Sequence, residues 1–285
     1  MLKTKPFISE KVWGYEQWLL STLANGSSQV IASEKEDSCS QNLASIVGDK
    51  FPLLVKLIQA DDTLSVQVHP NDEYAMKNEN SPGKTECWYI LDAKPGATLV
   101  CGLKKTYSPE EITDAISKNT LDDMLRYVPV KKGDFLFIPS GTVHAIQGGL
   151  RLLEVQQPSD ITYRLYDWGR PREMHITKGV AVINEEEQQN PQTFSGFFSC
   201  PYFALEQSII TSKISLSFNS FITKTKTPSG KRGFGLLFFI GGSAIVTDEN
   251  GNCVSVKSED SLVLTKDEKV IIEPTSSECS FIKIC

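Results

Sequence analysis

Short runs of β-branched and aromatic residues, many alternating with polar ones, recur along the whole chain. They fall at 29–33, 53–60, 64–68, 87–92, 98–102, 135–138, 150–156 and 161–165. Gly and Pro punctuate them, as in Lys94-Pro95-Gly96, Pro139-Ser140-Gly141 and Gly148-Gly149. Closely spaced strands with such turns predict an antiparallel sandwich or barrel, a mainly β fold with a few short helices. Ser108-Pro109-Glu110-Glu111 reads as a capping box opening a helix over 109–118. Thr120-Leu121-Asp122-Asp123 repeats the pattern and predicts a second helix to about residue 127, and 71–77 is a third candidate.

A polar, acidic stretch over 184–190, followed by Pro191, interrupts the pattern. Strand-like runs then resume at 203–210, 214–218, 234–240, 244–247, 252–256, 261–264 and 270–273. The interruption predicts two domains, 1–183 and 195–285. Residues 132–139 can be laid over 258–265, and Val270 then falls where His144 stands. That overlay predicts two jelly-roll barrels, the second a copy without a polar site.

Composition narrows the partners. Among 285 residues, 29 Lys and Arg stand against 35 Asp and Glu, a net charge of −6. A nucleic-acid or anionic-membrane surface needs the opposite sign, so neither partner is expected. The N-terminus lacks the apolar segment of a signal peptide, and no run is long enough to span a bilayer. Seven cysteines, none in a CxxC pair, fit isolated thiols in a reduced, cytoplasmic protein. Nothing implies a protein partner.

The candidate chemistry centres on two of the three histidines. Gly133 to His144 fits G-x5-P-x-G-x2-H, the second motif of the cupin barrel, in which a tight hairpin sends the His into the barrel mouth. The motif usually ends in a further Asn, where this chain has Gly148. Gln67 and His69 stand two apart on one strand face, and Lys84 and Glu86 share another. Gln67, His69, Glu86 and His144 together offer an amide oxygen, two imidazoles and a carboxylate, a set suited to Zn²⁺ or another first-row divalent ion. His175 lies outside both motifs and reads as a non-ligand. Trp13, Trp18, Trp88 and Trp168 read as core aromatics rather than sugar platforms.

Several segments resemble class I mannose-6-phosphate isomerase, in the short bacterial form that lacks a helical insertion. They are Val66-Gln67-Val68-His69-Pro70, Gly83-Lys84-Thr85-Glu86, Ile138 to Ala145, Glu154 with Tyr163-Arg164-Leu165, and Val12-Trp13-Gly14 near the start. The resemblance implies one zinc ion per chain, held by Gln67, His69, Glu86 and His144. It also implies Arg164, Lys84 and Glu154 as catalytic residues, Lys56 and Ser65 as substrate-binding ones, and a hexose 6-phosphate as substrate. Aldose–ketose isomerisation moves a proton between C2 and C1 through a cis-enediol. It needs a cation near the developing oxyanion and one base. Glu154 is the favoured acid/base, with Lys84 the alternative or an aid to ring opening.

Two other readings compete. His69, Glu86 and His144 also make the 2-His-1-carboxylate set of an Fe(II) cupin oxygenase, but Gln67 fills a position such enzymes keep open. A non-catalytic sugar-binding cupin would not need the Lys84 and Arg164 set.

Overall fold

The computed structural model describes residues 1–31, 41–48, 51–184, 189–217, 234–265 and 268–285. Cys39, the ends of the strands expected at 29–33 and 214–218, and residues 185–188 of the acidic stretch lie outside the described residues. The fold is mainly β, as the strand pattern predicts.

The contacts divide the chain into two compact units. One comprises Ile8–Gln17 and Val55–Phe194, the other Met1–Phe7, Trp18–Leu54 and Ser195–Cys285. The sequence pattern predicts a single cut, whereas here the N-terminal strands are shared between the units.

Most of the larger, seven-stranded sheet lies in the unit containing Val55–Phe194 and contains the order Asp134–Ile138, Glu86–Ala93, Leu150–Gln156, Leu54–Ala60, Gly14–Leu20. The smaller sheet runs Leu125–Pro129, Thr98–Leu103, His144–Ile146, Val66–Val68, Tyr163–Tyr166. Alternation sends one set of side chains from each sheet into a shared core, including Ile58, Trp88, Ile90, Leu136 and Leu152 from the first and Leu99, Cys101 and Ile146 from the second. The opposite face of the smaller sheet, with Val66, Val68, Val100, Ala145, Tyr163 and Leu165, packs under helices Pro109–Ser117 and Ile176–Val182. Two-sided burial explains why these strands read as nearly continuous apolar runs.

The Ser108 capping box forms in both directions, and Asn71 caps helix Asp72–Glu79. The helix expected from Thr120 is a single 3-10 turn, Leu121–Met124, with no side-chain cap, followed by strand Leu125–Pro129. Leu125 and Val128 are buried where that strand pairs with Thr98–Leu103, so tertiary pairing overrides the local cap signal. Helices Leu43–Val47 and Ile176–Val182 carry no strong sequence signature, and the pattern of the chain does not predict them.

In the other unit, a large sheet contains the order Ser261–Thr265, Phe234–Gly241, Cys279–Ile284, Ala204–Ile210. A smaller one runs Cys253–Lys257, Ser243–Asp248, Lys269–Pro274, Ile214–Ser217. Each order of four repeats, in chain rank, the first four strands of the corresponding sheet above. The turns before the aligned strands agree as well. The Lys131 N–H donates to Asp134 Oδ2 at 3.0 Å, and the Lys257 N–H to Asp260 Oδ2 at 3.0 Å. Gly133 has φ 85° and Glu259 φ 73° at the matching position. His144 lies opposite Gln67 in its sheet, and Val270 opposite Leu216 in its own.

Candidate active site

Three loops are tied together by backbone hydrogen bonds before any side chain meets. The Gly141 N–H donates to the His69 carbonyl at 2.8 Å, and the Lys84 N–H to the Pro70 carbonyl at 3.0 Å. Gly141 has φ 90°, and a Cβ there would lie 3.0 Å from the Val182 carbonyl, so the tight hairpin of the motif needs glycine. A Cβ at Gly148 would meet the Asp61 carbonyl at 3.0 Å, which accounts for glycine where the motif usually has Asn.

The smaller sheet contributes a row. Cys101, His144, Gln67 and Arg164 stand opposite one another in successive strands. Cross-strand partners share a face, so this row places His144 and Gln67 together, with His69 two residues beyond Gln67. The larger sheet contributes a second row: Glu86 is opposite Ile138 and Gln156, and Trp88 is opposite Leu136 and Glu154.

Where the two rows meet, His69, Glu86 and His144 are fully buried, and their ligand atoms all lie within 4.8 Å of one another. His69 Nε2 is 3.6 Å from Glu86 Oε2, and His144 Nε2 is 3.4 Å from Glu86 Oε1. The His144 Nδ1–H donates to the Thr142 carbonyl at 2.8 Å, which fixes the tautomer and turns the Nε2 lone pair toward the cluster. The Gln67 amide stands 3.2 Å from that Nε2. Burial lowers the His144 pKa to about 4, and burial with the Lys84 charge holds His69 well below its ordinary value. Both rings are therefore neutral at pH 7, the state that ligates metals.

Glu86 carries the test of fit. Among the described residues, neither of its buried oxygens accepts an aligned hydrogen bond; the Lys84 ammonium is paired with Oε2 at 3.1 Å and also lies 3.0 Å from His69 Nε2. Burial pushes this carboxyl above its usual range. A carboxylate short of donors, flanked by two neutral imidazoles and an amide, matches the donor set of a divalent cation.

Beside the cluster lies a second group. Lys56 Nζ is 3.0 Å from Glu154 Oε1, and the Trp88 indole N–H donates to Glu154 Oε2 at 2.9 Å. Burial alone would raise the Glu154 pKa, but the Lys56 and Lys84 charges and the two hydrogen bonds outweigh it and bring it down. Lys56 is shifted up, its burial outweighed by Glu154 and Glu16. Ser65 is buried and in phase with Gln67 and His69. Arg164 is half-buried, with Nη1–H donating to the Glu173 carbonyl at 2.6 Å and its backbone N–H to His175 Nδ1 at 3.2 Å.

The other arginines of this segment are turned to structural partners. Arg172 forms two 2.6 Å bonds to Asp167, and Arg170 also binds Asp167. Glu16 and the donor role of Trp88 belong to no motif of the sequence. Glu16 does have a sequence signal, since it is the inward-phase carboxylate between Gly14 and Trp18 on a strand; it ends 4.0 Å from Lys56.

The sequence is 38% identical over 253 residues to mannose-6-phosphate isomerase ManA of Bacillus subtilis, covering 74% of this chain and 80% of that protein. The chain belongs to the type I phosphomannose isomerase family. Residues 3–98, which hold Gln67, His69 and Glu86, match the family described as phosphomannose isomerase type I, catalytic domain. A mannose-6-phosphate isomerase of Streptococcus mutans is 47% identical over 139 residues, covering 47% of this chain and 44% of that protein. Among solved structures, a mannose 6-phosphate isomerase from Bacillus subtilis superposes with a TM-score of 0.82 at 28% identity, covering 100% of this chain and 99% of that one. The chain is accordingly an enzyme, an isomerase of this family. Among the described residues, no helix is long and apolar enough to cross a membrane.

Proposed function

We propose that the chain interconverts mannose 6-phosphate and fructose 6-phosphate through a cis-enediol, at a zinc site held by Gln67, His69, Glu86 and His144. The observation that carries this reading is the donor-poor carboxylate of Glu86 between two neutral imidazoles, with the cations of Lys84 and Lys56 beside it. When bound, one zinc ion per chain would polarise the sugar oxygens and offset negative charge that develops on them.

The chain's own residues supply the rest. Glu154 takes the proton from C2 and returns it to C1, and Lys84 assists ring opening or holds a sugar hydroxyl. The Lys56 pair lowers the basicity of Glu154. Binding of the anionic substrate, which draws on the Lys56 charge, restores basicity when it is needed. Arg164 stabilises the enediolate, and Ser65 and Lys56 bind the sugar phosphate.

The repeated strand orders and the matching Asp134 and Asp260 turns support a duplicated cupin. In this reading 195–285 forms the body of a degenerate copy, with Val270 and Leu216 where His144 and Gln67 stand. The isolated cysteines, none in a CxxC pair, favour a cytoplasmic enzyme, and the net charge of −6 favours a small-molecule substrate over a nucleic acid.

A coupled assay from mannose 6-phosphate to fructose 6-phosphate tests the function. Turnover that is lost on chelation and regained with Zn²⁺ is expected. No turnover in a zinc-replete preparation overturns it.

A further inference from the structure

The Trp88 side chain is fully buried and touches both halves of the site. Its indole N–H donates to Glu154 Oε2 at 2.9 Å, and its ring packs edge-on against the His144 imidazole, with centroids 5.5 Å apart and planes at 72°. Backbone register fixes this arrangement, because Trp88 lies directly opposite Glu154 and two residues along the same strand from Glu86. The two oxygens of Glu154 thus differ: Oε2 accepts the indole hydrogen bond, and Oε1 faces the Lys56 ammonium as an ion pair without an aligned hydrogen bond. An ion pair sets no orientation by itself, so the directional indole hydrogen bond is what fixes the plane of the carboxylate.

We propose that Trp88 is a positioning residue of the isomerisation. Its N–H aims the Glu154 carboxylate, and its ring backs His144, so one rigid side chain fixes the acid/base relative to the metal ligands. The inference rests on Glu154 as acid/base. An indole suits this role because it has one donor, no acceptor, two torsions, and enough volume to exclude water from the carboxylate. A proton carrier misplaced by a fraction of an ångström loses turnover without losing affinity for the sugar.

The test compares Trp88→Phe, Trp88→Ala, Glu154→Gln and the double variant Trp88→Phe/Glu154→Gln. Phe135→Leu serves as a control, a buried aromatic on the outward face of the neighbouring strand, against Phe194. Trp88→Phe keeps an aromatic ring against His144 but removes the donor. It is expected to lower kcat by about 10- to 100-fold with KM and bound zinc retained. Trp88→Ala loses zinc as well. The double variant is expected to be no slower than Glu154→Gln alone, because Trp88 acts through Glu154. Phe135→Leu lowers Tm but leaves kcat unchanged.

Native kcat in zinc-replete Trp88→Phe, or additive losses in the double variant, overturns the positioning role while leaving Glu154 as the base. Full turnover in Glu154→Gln overturns both.

Discussion

Lys56 and Glu154 form a buried ion pair, with Nζ 3.0 Å from Oε1 and side-chain exposures of only 7% and 4%. Glu16 adds a second carboxylate 4.0 Å from the same ammonium. The Glu154 pKa is depressed and the Lys56 pKa raised. The first shift contributes stability that is present above the unfolded carboxyl value, about pH 4.3, and is lost as pH falls through the folded one. The second contributes stability present below about pH 10.4 and lost as pH rises through the folded value. The pair therefore holds the site together across the neutral range.

Lys56→Met removes one partner and leaves the carboxylate in a site built for a pair. The expected cost at neutral pH is about 3–5 kcal/mol. Burial then raises the Glu154 pKa, so protonation relieves the variant in acid. The Tm gap between native and variant proteins should widen from about pH 4.5 to about pH 7.5. Thermal melts across that range check this, and a constant gap contradicts it.

Arg164 stands opposite Gln67 in register, on the strand beside the proposed ligands. If it stabilises the enediolate, Arg164→Ala lowers kcat by roughly 100- to 1,000-fold. Bound zinc and Tm should stay near native, because the Arg164 guanidinium bonds the Glu173 carbonyl rather than any proposed ligand, and the backbone bond to His175 survives the substitution. Steady-state kinetics with metal analysis measures both, and a fall in zinc parallel to activity would place Arg164 in the scaffold instead.

Gly14 carries the chain past the backbone of Gln59, with φ 140° and an added Cβ only 2.0 Å from the Gln59 carbonyl oxygen. Gly14→Ala has no side-chain movement available to relieve that contact. A loss of about 2–4 kcal/mol is expected in chemical denaturation, and a variant within about 0.5 kcal/mol of native, the size of an ordinary surface substitution, would show the strand is free to shift.

Glu259 occupies the left-handed position that Gly133 fills in the matching turn. A left-handed non-glycine residue costs about 1–2 kcal/mol, against roughly 0.5–1 kcal/mol for the greater unfolded-state freedom of glycine. Glu259→Gly is therefore expected to raise Tm slightly. A clear fall would show that the Glu259 side chain contributes more than the strain removes.

Much of this architecture is legible from residues in sequence because its signals are local. The alternation at Gln67 and His69, the hairpin Gly133 to His144, and the inward phase of Lys84 and Glu86 each follow from strand geometry and turn chemistry. What local signals do not carry is long-range pairing. Thr120 carries a cap signal, yet Leu125 and Val128 are drawn into a strand by Thr98–Leu103. Trp88 reads as a core aromatic until its register opposite Glu154 gives its N–H a partner 66 residues away. The N-terminal strands likewise divide between the two units through pairings that a linear cut does not anticipate.

In the proposed mechanism His69, Glu86 and His144, with Gln67, hold the metal on which isomerisation depends. This is tested most directly by measuring bound zinc and mannose 6-phosphate turnover on one preparation, before chelation, after it, and after Zn²⁺ is restored, with His144→Ala alongside. One zinc per native chain is expected, with activity that falls and returns with the metal, and neither zinc nor turnover in His144→Ala. Full turnover in the chelated, zinc-free protein would contradict it.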